Sequence, residues 1–231
     1  MSFSDSPATT VGVRSNPAVA TALLSQAFLW MFAGLLVTAG VAFVVGSNEQ
    51  VLAQTGNLFL PILLGQLALV WAIGLGIRRM SATLALGLFF VYAATLGFTM
   101  AVIVSLYTGE SVTTAFLSAS AMFGAAGLYG VTTKRSLSGL GGILMIGVVG
   151  LIVASLLNMF FASGTLSWII SIIGVVLFTA LTAYDAQRIS SGALVVQTGS
   201  VEKAAVLGAL SLYLDFVNLF LFLLRLLGNR R

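Results

Sequence analysis

The sequence predicts an all-α membrane protein with seven transmembrane helices, and three observations carry that prediction. The first is composition. Of 231 residues, 59% are hydrophobic and only 7% are charged, with a mean hydropathy of +1.12. Soluble domains are about half apolar and about a quarter charged. So few charges cannot coat a globule in water, so the solvent is lipid and a soluble enzyme is excluded. The second observation is that the charges sit between long uncharged stretches. The third is that Lys and Arg occur in every second connection between those stretches.

The elements follow in order. No charge lies between Arg14 and Glu49, from Gln50 to Ile77, from Ser81 to Gly109, from Ser111 to Thr133, or from Ser136 to Tyr184. A crossing helix needs about 20 apolar residues, so the first four stretches hold one helix each. The fifth is long enough for two, and the Asn158–Gly164 segment (NMFFASG) supplies the break. A last apolar run extends from Ala204 to Leu227. The expected spans are roughly 25–46, 58–77, 82–106, 112–131, 138–160, 166–188 and 205–227. Residues 1–20, with Ser, Thr and Pro, read as a disordered cytoplasmic tail, and 21–231 as one seven-helix transmembrane domain. The tail lacks the basic start and apolar core of a cleaved signal peptide.

Arg14, Arg78 with Arg79, Lys134 with Arg135, and Arg188 with Lys203 fall on one side, whereas the connections near Glu49, Glu110 and Ser163 contain no Lys or Arg. This bias places the N-terminus in the cytoplasm. Seven crossings then end outside, although the chain finishes with Arg225, Arg230 and Arg231. Two readings are open: a full seventh span, or a hairpin returning to the cytoplasm. The absence of Pro and Gly between Leu210 and Leu227 favours the span.

The net charge of +4 is scattered in ones and twos, which argues against nucleic-acid binding. With no Cys and no His, the chain has no disulfide, thiolate metal site, Ser-His or Cys-His hydrolase chemistry, or ordinary neutral-pH sensor. No lysine lies inside an expected span, which disfavours a retinal protein. No cofactor is expected.

Ionisable side chains in the bilayer are costly and mark function by default. Asp215 lies near the middle of the last segment and Asp185 near the cytoplasmic end of the sixth. Glu49, Glu110 and Glu202 fall in connections and Asp5 in the tail, where solvated charge is the simpler explanation. Ser211, Asp215, Asn218, Phe222 and Arg225 recur at helical spacing and form one stripe that must face other helices. Thr182 and Asp185 share a face of the sixth helix. Ser and Thr in such helices ordinarily make packing hydrogen bonds; burying Asp215 merely to pack would be wasteful. If the sixth and seventh helices are neighbours, Asp185 and Asp215 can share a site and one proton, taking the place of the missing histidine. Arg78 or Arg79 is the expected counter-ion; for either alone, snorkelling to headgroups is an equal explanation.

The stretches TALTAYDAQRI (Thr179 to Ile189) and LSLYLDFVNLFLFLLRLLG (Leu210 to Gly228) resemble the Bax inhibitor-1 family of transmembrane Bax inhibitor motif proteins. The architecture matches along the whole chain, the sequence chiefly over its last part. The resemblance implies six helices surrounding a central C-terminal helix and a pH-sensitive calcium leak. In it the two aspartates, Asp185 and Asp215 here, form a hydrogen-bonded pair that latches the closed state, joined by an arginine that corresponds to Arg79 or Arg78. Relatives often carry an acidic residue in the second helix, where Gln66 stands here.

Three function classes follow. A proton-gated cation leak would use Asp215 and Asn218 along the ion path, with Asp185 and Asp215 as weak calcium ligands; calcium wants several oxygen ligands, and few weak sites let an ion pass. A non-transporting regulator would bind other membrane proteins, for which Gly139, Gly141, Gly142 and Gly147 offer close helix contacts. An intramembrane aspartyl protease would also pair two aspartates, but such enzymes carry Gly-x-Gly-Asp where this chain has Leu212-Tyr213-Leu214-Asp215. The expected partners are therefore the lipid bilayer, calcium ions and protons. The compact loops and the absence of Cys and His point to a bacterial plasma membrane.

Overall fold

The computed structural model describes residues 17–230. Among them there are no strands, and seven helices are long and apolar enough to cross a bilayer. In chain order these are α1 (Pro17–Gly46), α3 (Phe59–Gly76), α4 (Ala82–Ser105), α5 (Gly109–Thr132), α6 (Gly141–Phe161), α7 (Gly164–Ser190) and α9 (Val201–Leu227). Two short α-helices, α2 (Glu49–Asn57) and α8 (Ala193–Thr198), and a single 3-10 turn at Ser138–Leu140 connect them. The tail expected over residues 1–20 lies outside the described residues as far as 16, and Pro17 to Ala20 already belong to α1.

Small polar residues set the helix starts. Asn48, Ser81, Thr108, Ser163 and Ser200 each accept a backbone N–H from the first turn of α2, α4, α5, α7 and α9. Such caps satisfy donors that hydrocarbon could not. The expected break after the fifth span is present. α6 stops at Phe161, Ala162 adopts a left-handed φ of 47°, and the Asn158 amide closes the turn by donating to Ser167 Oγ (2.6 Å) and accepting from Ser163 N (3.2 Å). α8 was not expected from sequence. Gly192 (φ 74°) and Gly199 (φ 76°) bracket it, a backbone state that glycine reaches without strain.

α9 is central and the most buried of the seven spans. Ala204, Leu212, Tyr213, Leu219 and Leu224 have essentially no exposed surface. α1, α4, α5 and α7 pack directly against it. α3 and α6 sit outside, on α4 and α7 respectively, and turn residues such as Leu75 and Phe160 (87% exposed) toward lipid. The six helices thus surround α9 in two tiers. A lateral cavity of about 570 Å³, lined by Leu35, Phe43, Met100, Phe116 and Phe220, opens between α1, α4 and α5 over α9.

The seventh segment is one unbroken helix of 27 residues, about 40 Å long at 1.5 Å per residue. This removes the hairpin alternative. Beyond it the chain docks on the α4–α5 turn: Thr108 N donates to Asn229 O (3.2 Å), Asn229 N donates to Ser111 Oγ (2.9 Å), and the Arg230 guanidinium lies 5.8 Å from the Tyr107 ring centre. Arg230 therefore lies at the opposite face of the bundle from Arg78, Lys134 and Arg188.

Glycine sets how closely α5 and α7 approach. A Cβ on Gly130 would lie 2.1 Å from the Ala183 carbonyl oxygen, whereas one on Gly124 would meet nothing within 4 Å. Gly130→Val should therefore lower the thermal unfolding temperature in detergent by the equivalent of about 1–3 kcal/mol, and Gly124→Ala should leave it unchanged. Equal behaviour of the two variants would show that the α5–α7 contact is not tight.

Candidate functional site: a carboxylate pair between α7 and α9

α7 and α9 run antiparallel, and their register follows from four contacts. Gly174 meets the Phe222 ring, Phe178 stacks on Phe222 (5.8 Å between centroids), the Ser211 hydroxyl lies beside the Asp185 carboxylate, and Ile189 covers Gly208. Asp215, one helical turn beyond Ser211, lies close enough to Asp185 for their charges to interact. Asp185 is 9% exposed and Asp215 only 4%. The two acids that the sequence singled out thus both lie buried in the α7–α9 region.

Their surroundings differ. Asp185 has a cation: Arg188 Nη1 is 3.8 Å from its Oδ1, three residues along the same helix. Asp215 lies deeper, and its Oδ2 is buried with no hydrogen-bond partner. An unpaired buried oxygen costs the full desolvation of that atom. Asn218 is differently placed. Its Nδ2 donates to Leu214 O at 2.8 Å, so the amide is engaged with its own helix. Among the described residues no group of three acidic side chains forms. Two carboxylates fall short of the oxygen shell of a resident calcium ion.

The arginine expectation is corrected in one respect. Neither Arg78 nor Arg79 pairs directly with the acids; Arg188 does. Arg188 also hydrogen-bonds the Gln197 side chain, whose backbone carbonyl accepts from Arg78 Nε (2.6 Å), while Lys203 Nζ donates to Arg78 O (3.2 Å). Arg78 thus joins the site at one remove through α8, and no side-chain contact of Arg79 enters this network. In the sequence Arg188 stands out only as a topology signal. Its spacing of three from Asp185 is the signal that marks it as a partner of that acid.

A second buried polar cluster lies on the opposite stripe of α9 and was missed because single Thr and Tyr residues read as packing. Tyr213 is fully buried, and its Oη lies 2.5 Å from Thr38 Oγ1 of α1, which in turn is 2.8 Å from Ala93 O of α4. Thr38 Oγ1 also lies 3.0 Å from Gly34 O; because its one proton goes to a backbone carbonyl, Tyr213 is the donor to Thr38. The rings of Phe89 and Tyr92 enclose Tyr213 edge-on at 5.5 and 5.8 Å. Gln66, standing where an acid was noted for relatives, ties α3 to α4 by donating to Thr95 O (2.9 Å) and Thr99 Oγ1 (2.6 Å).

A family model described as "Inhibitor of apoptosis-promoting Bax1" matches residues 20–231. The chain belongs to the Bax inhibitor-1 family. Among relatives, the inner membrane protein YbhL of Escherichia coli (strain K12) is 42% identical over 214 residues, covering 90% of this chain and 92% of that protein. A protein of Deinococcus radiodurans is 44% identical over 209 residues, covering 90% of each chain, and one of Borreliella burgdorferi is 41% identical over 213. The chain is accordingly a multi-pass membrane protein in contact with the lipid bilayer, and its relatives include a bacterial inner membrane protein.

The Thr38–Tyr213 pair is testable by a double-mutant cycle. Thr38→Val and Tyr213→Phe should each destabilise the detergent-solubilised protein by about 1 kcal/mol, and the double variant by less than their sum. Strict additivity in thermal unfolding would show that the bond is not made.

Proposed function

We propose that this Bax inhibitor-1 family member is a pH-sensitive calcium leak, in which a proton shared by Asp185 and Asp215 holds α7 against α9. The observation that carries the reading is the orphaned, buried Oδ2 of Asp215 beside a second carboxylate. With one proton between them the pair attracts; with none, two like charges repel across a low dielectric. Loss of that proton on alkalinisation therefore separates the two helices along the interface where Asp215 lies. The passing ion is cargo. Asp185 and Asp215 offer it oxygens too few to trap it, which suits permeation rather than storage.

Arg188 sets the balance from the exposed end. It compensates the Asp185 charge, and through Gln197 it links that charge to Arg78. The side chains around Asp215 support a non-enzymatic reading: Leu212, Tyr213, Leu214 and Phe216 leave no small-residue surface on which a substrate strand could lie. The inner-membrane relative and the Lys/Arg bias support a bacterial plasma membrane as the location, with the N-terminus in the cytoplasm. Contacts with other membrane proteins would fall on the outer face of α6, where a Cβ on Gly142 meets nothing, whereas Gly141 and Gly147 are packed against Tyr184 and Leu177.

Calcium flux into liposomes holding the purified protein tests this. Wild-type flux should rise as pH is raised, because the pair opens on losing its last proton. Asp215→Asn keeps the shape but cannot place two charges together, so its flux should be low and flat across the same pH range. Flux of the variant that follows the wild-type pH profile would refute the gate. Absence of flux from the wild type would refute the leak itself.

A further inference from the structure

The basic face of the bundle holds a cleft that the carboxylate pair does not explain. It has a volume of about 360 Å³ and lies between the α5–α6 connection and the end of α7. Lys134, Arg135, Ser138, Tyr184, Arg188 and Ser191 line it, and no carboxylate is among the lining residues.

The connection that carries two of these cations is fixed in place. Gln187 Nε2 donates to Arg135 O (2.9 Å), and Gln187 Oε1 accepts from Leu137 N (2.7 Å), so one side chain of α7 clamps the loop at both edges of Ser136. Leu137 is buried beneath it against Ala126 and Ala183. The Ser136 and Ser138 hydroxyls hydrogen-bond each other at 2.8 Å. Tyr184 extends its hydroxyl toward the start of α6, where a Cβ on Gly141 would lie 2.5 Å from Oη.

The cations of this face differ in their partners. Around α8, Arg78 and Lys203 each have a protein carbonyl to donate to. The side chains of Lys134 and Arg135 have no such acceptor among the described residues. Basic residues that serve topology alone need only be hydrated. Here two unpaired cations converge with hydroxyl donors on one concavity held by a two-point clamp, and Arg188, already paired with Asp185, lines its edge.

We propose that this cleft binds a phosphate-bearing anion. Phosphate oxygens accept several charge-assisted hydrogen bonds at once, which suits Lys134 and Arg135, neither of which pairs with a carboxylate among the described residues. Basic pockets beside helix ends on this kind of surface also suit lipid headgroups. The phosphate could come from an anionic phospholipid or from solution, and both present the same oxygens to Lys134 and Arg135. The site does not depend on the leak.

Native mass spectrometry of the full-length protein in neutral detergent tests the site, with phosphatidylglycerol compared against phosphatidylcholine. A parallel arm measures thermal stabilisation by inorganic phosphate against chloride at equal ionic strength. The wild type should retain phosphatidylglycerol in preference to phosphatidylcholine, or gain stability from phosphate. K134A/R135A should lose that response on the order of tenfold. R225A/R230A removes equal charge from the opposite face and should lose less than about twofold. A lipid response alone assigns the headgroup as the source, and a response to inorganic phosphate alone assigns the free anion. Equal losses in both double variants, or no preference in the wild type, would overturn the proposal. The unfolding temperature of K134A/R135A without ligand should match the wild type, since both side chains are exposed.

Discussion

An ionisable side chain in hydrocarbon must be covered by protein, and that constraint organises this molecule. Asp215 lies near the middle of a helix that must cross the bilayer, so every face of α9 bearing a polar group needs a neighbour. α7 covers the Ser211–Asp215 stripe, and α1 with α4 covers Tyr213 on the other side. A helix with polar groups on two faces can only be central. α3 and α6 have no such demand, and they form the outer tier with apolar side chains toward lipid.

Close approach between helices then makes the pair possible. Gly174 admits the Phe222 ring and Gly208 admits Ile189, which fixes α7 against α9 at two levels on either side of the acids. Gly130 lets α5 press on α7 from behind, at Ala183. Between these contacts Asp185 faces Ser211, and Asp215 sits one turn deeper. The pair is asymmetric: Arg188 neutralises the shallower acid, while nothing on a neighbouring helix reaches Oδ2 of the deeper one. The proposed gate uses that asymmetry: one proton shared by the pair holds the interface closed.

Much of this was legible in the sequence, for a physical reason. Hydrocarbon leaves few alternatives, so uncharged stretches became helices and the NMFFASG segment became a break. Asp185 and Asp215 were conspicuous because intramembrane acids are expensive. The less legible features depend on groups that are ordinary one at a time. Thr38 and Tyr213 form a bond only because α1 and α9 run side by side, and nothing in either segment announces the other. α2 and α8 lie outside the apolar runs, where the bilayer imposes no pattern. Arg188 was read for the side of the membrane it marks, although its position three residues from Asp185 already placed it on the same face.

The central claim is that one proton is shared by two neighbouring acids within the bundle. Infrared difference spectroscopy of the protein in lipid, titrated from mildly acidic to alkaline pH, reports directly on that proton. The account predicts a protonated-carboxyl band that persists through neutral pH, vanishes on alkalinisation and is absent from Asp215→Asn. A wild-type spectrum in which both carboxylates are ionised throughout would contradict it.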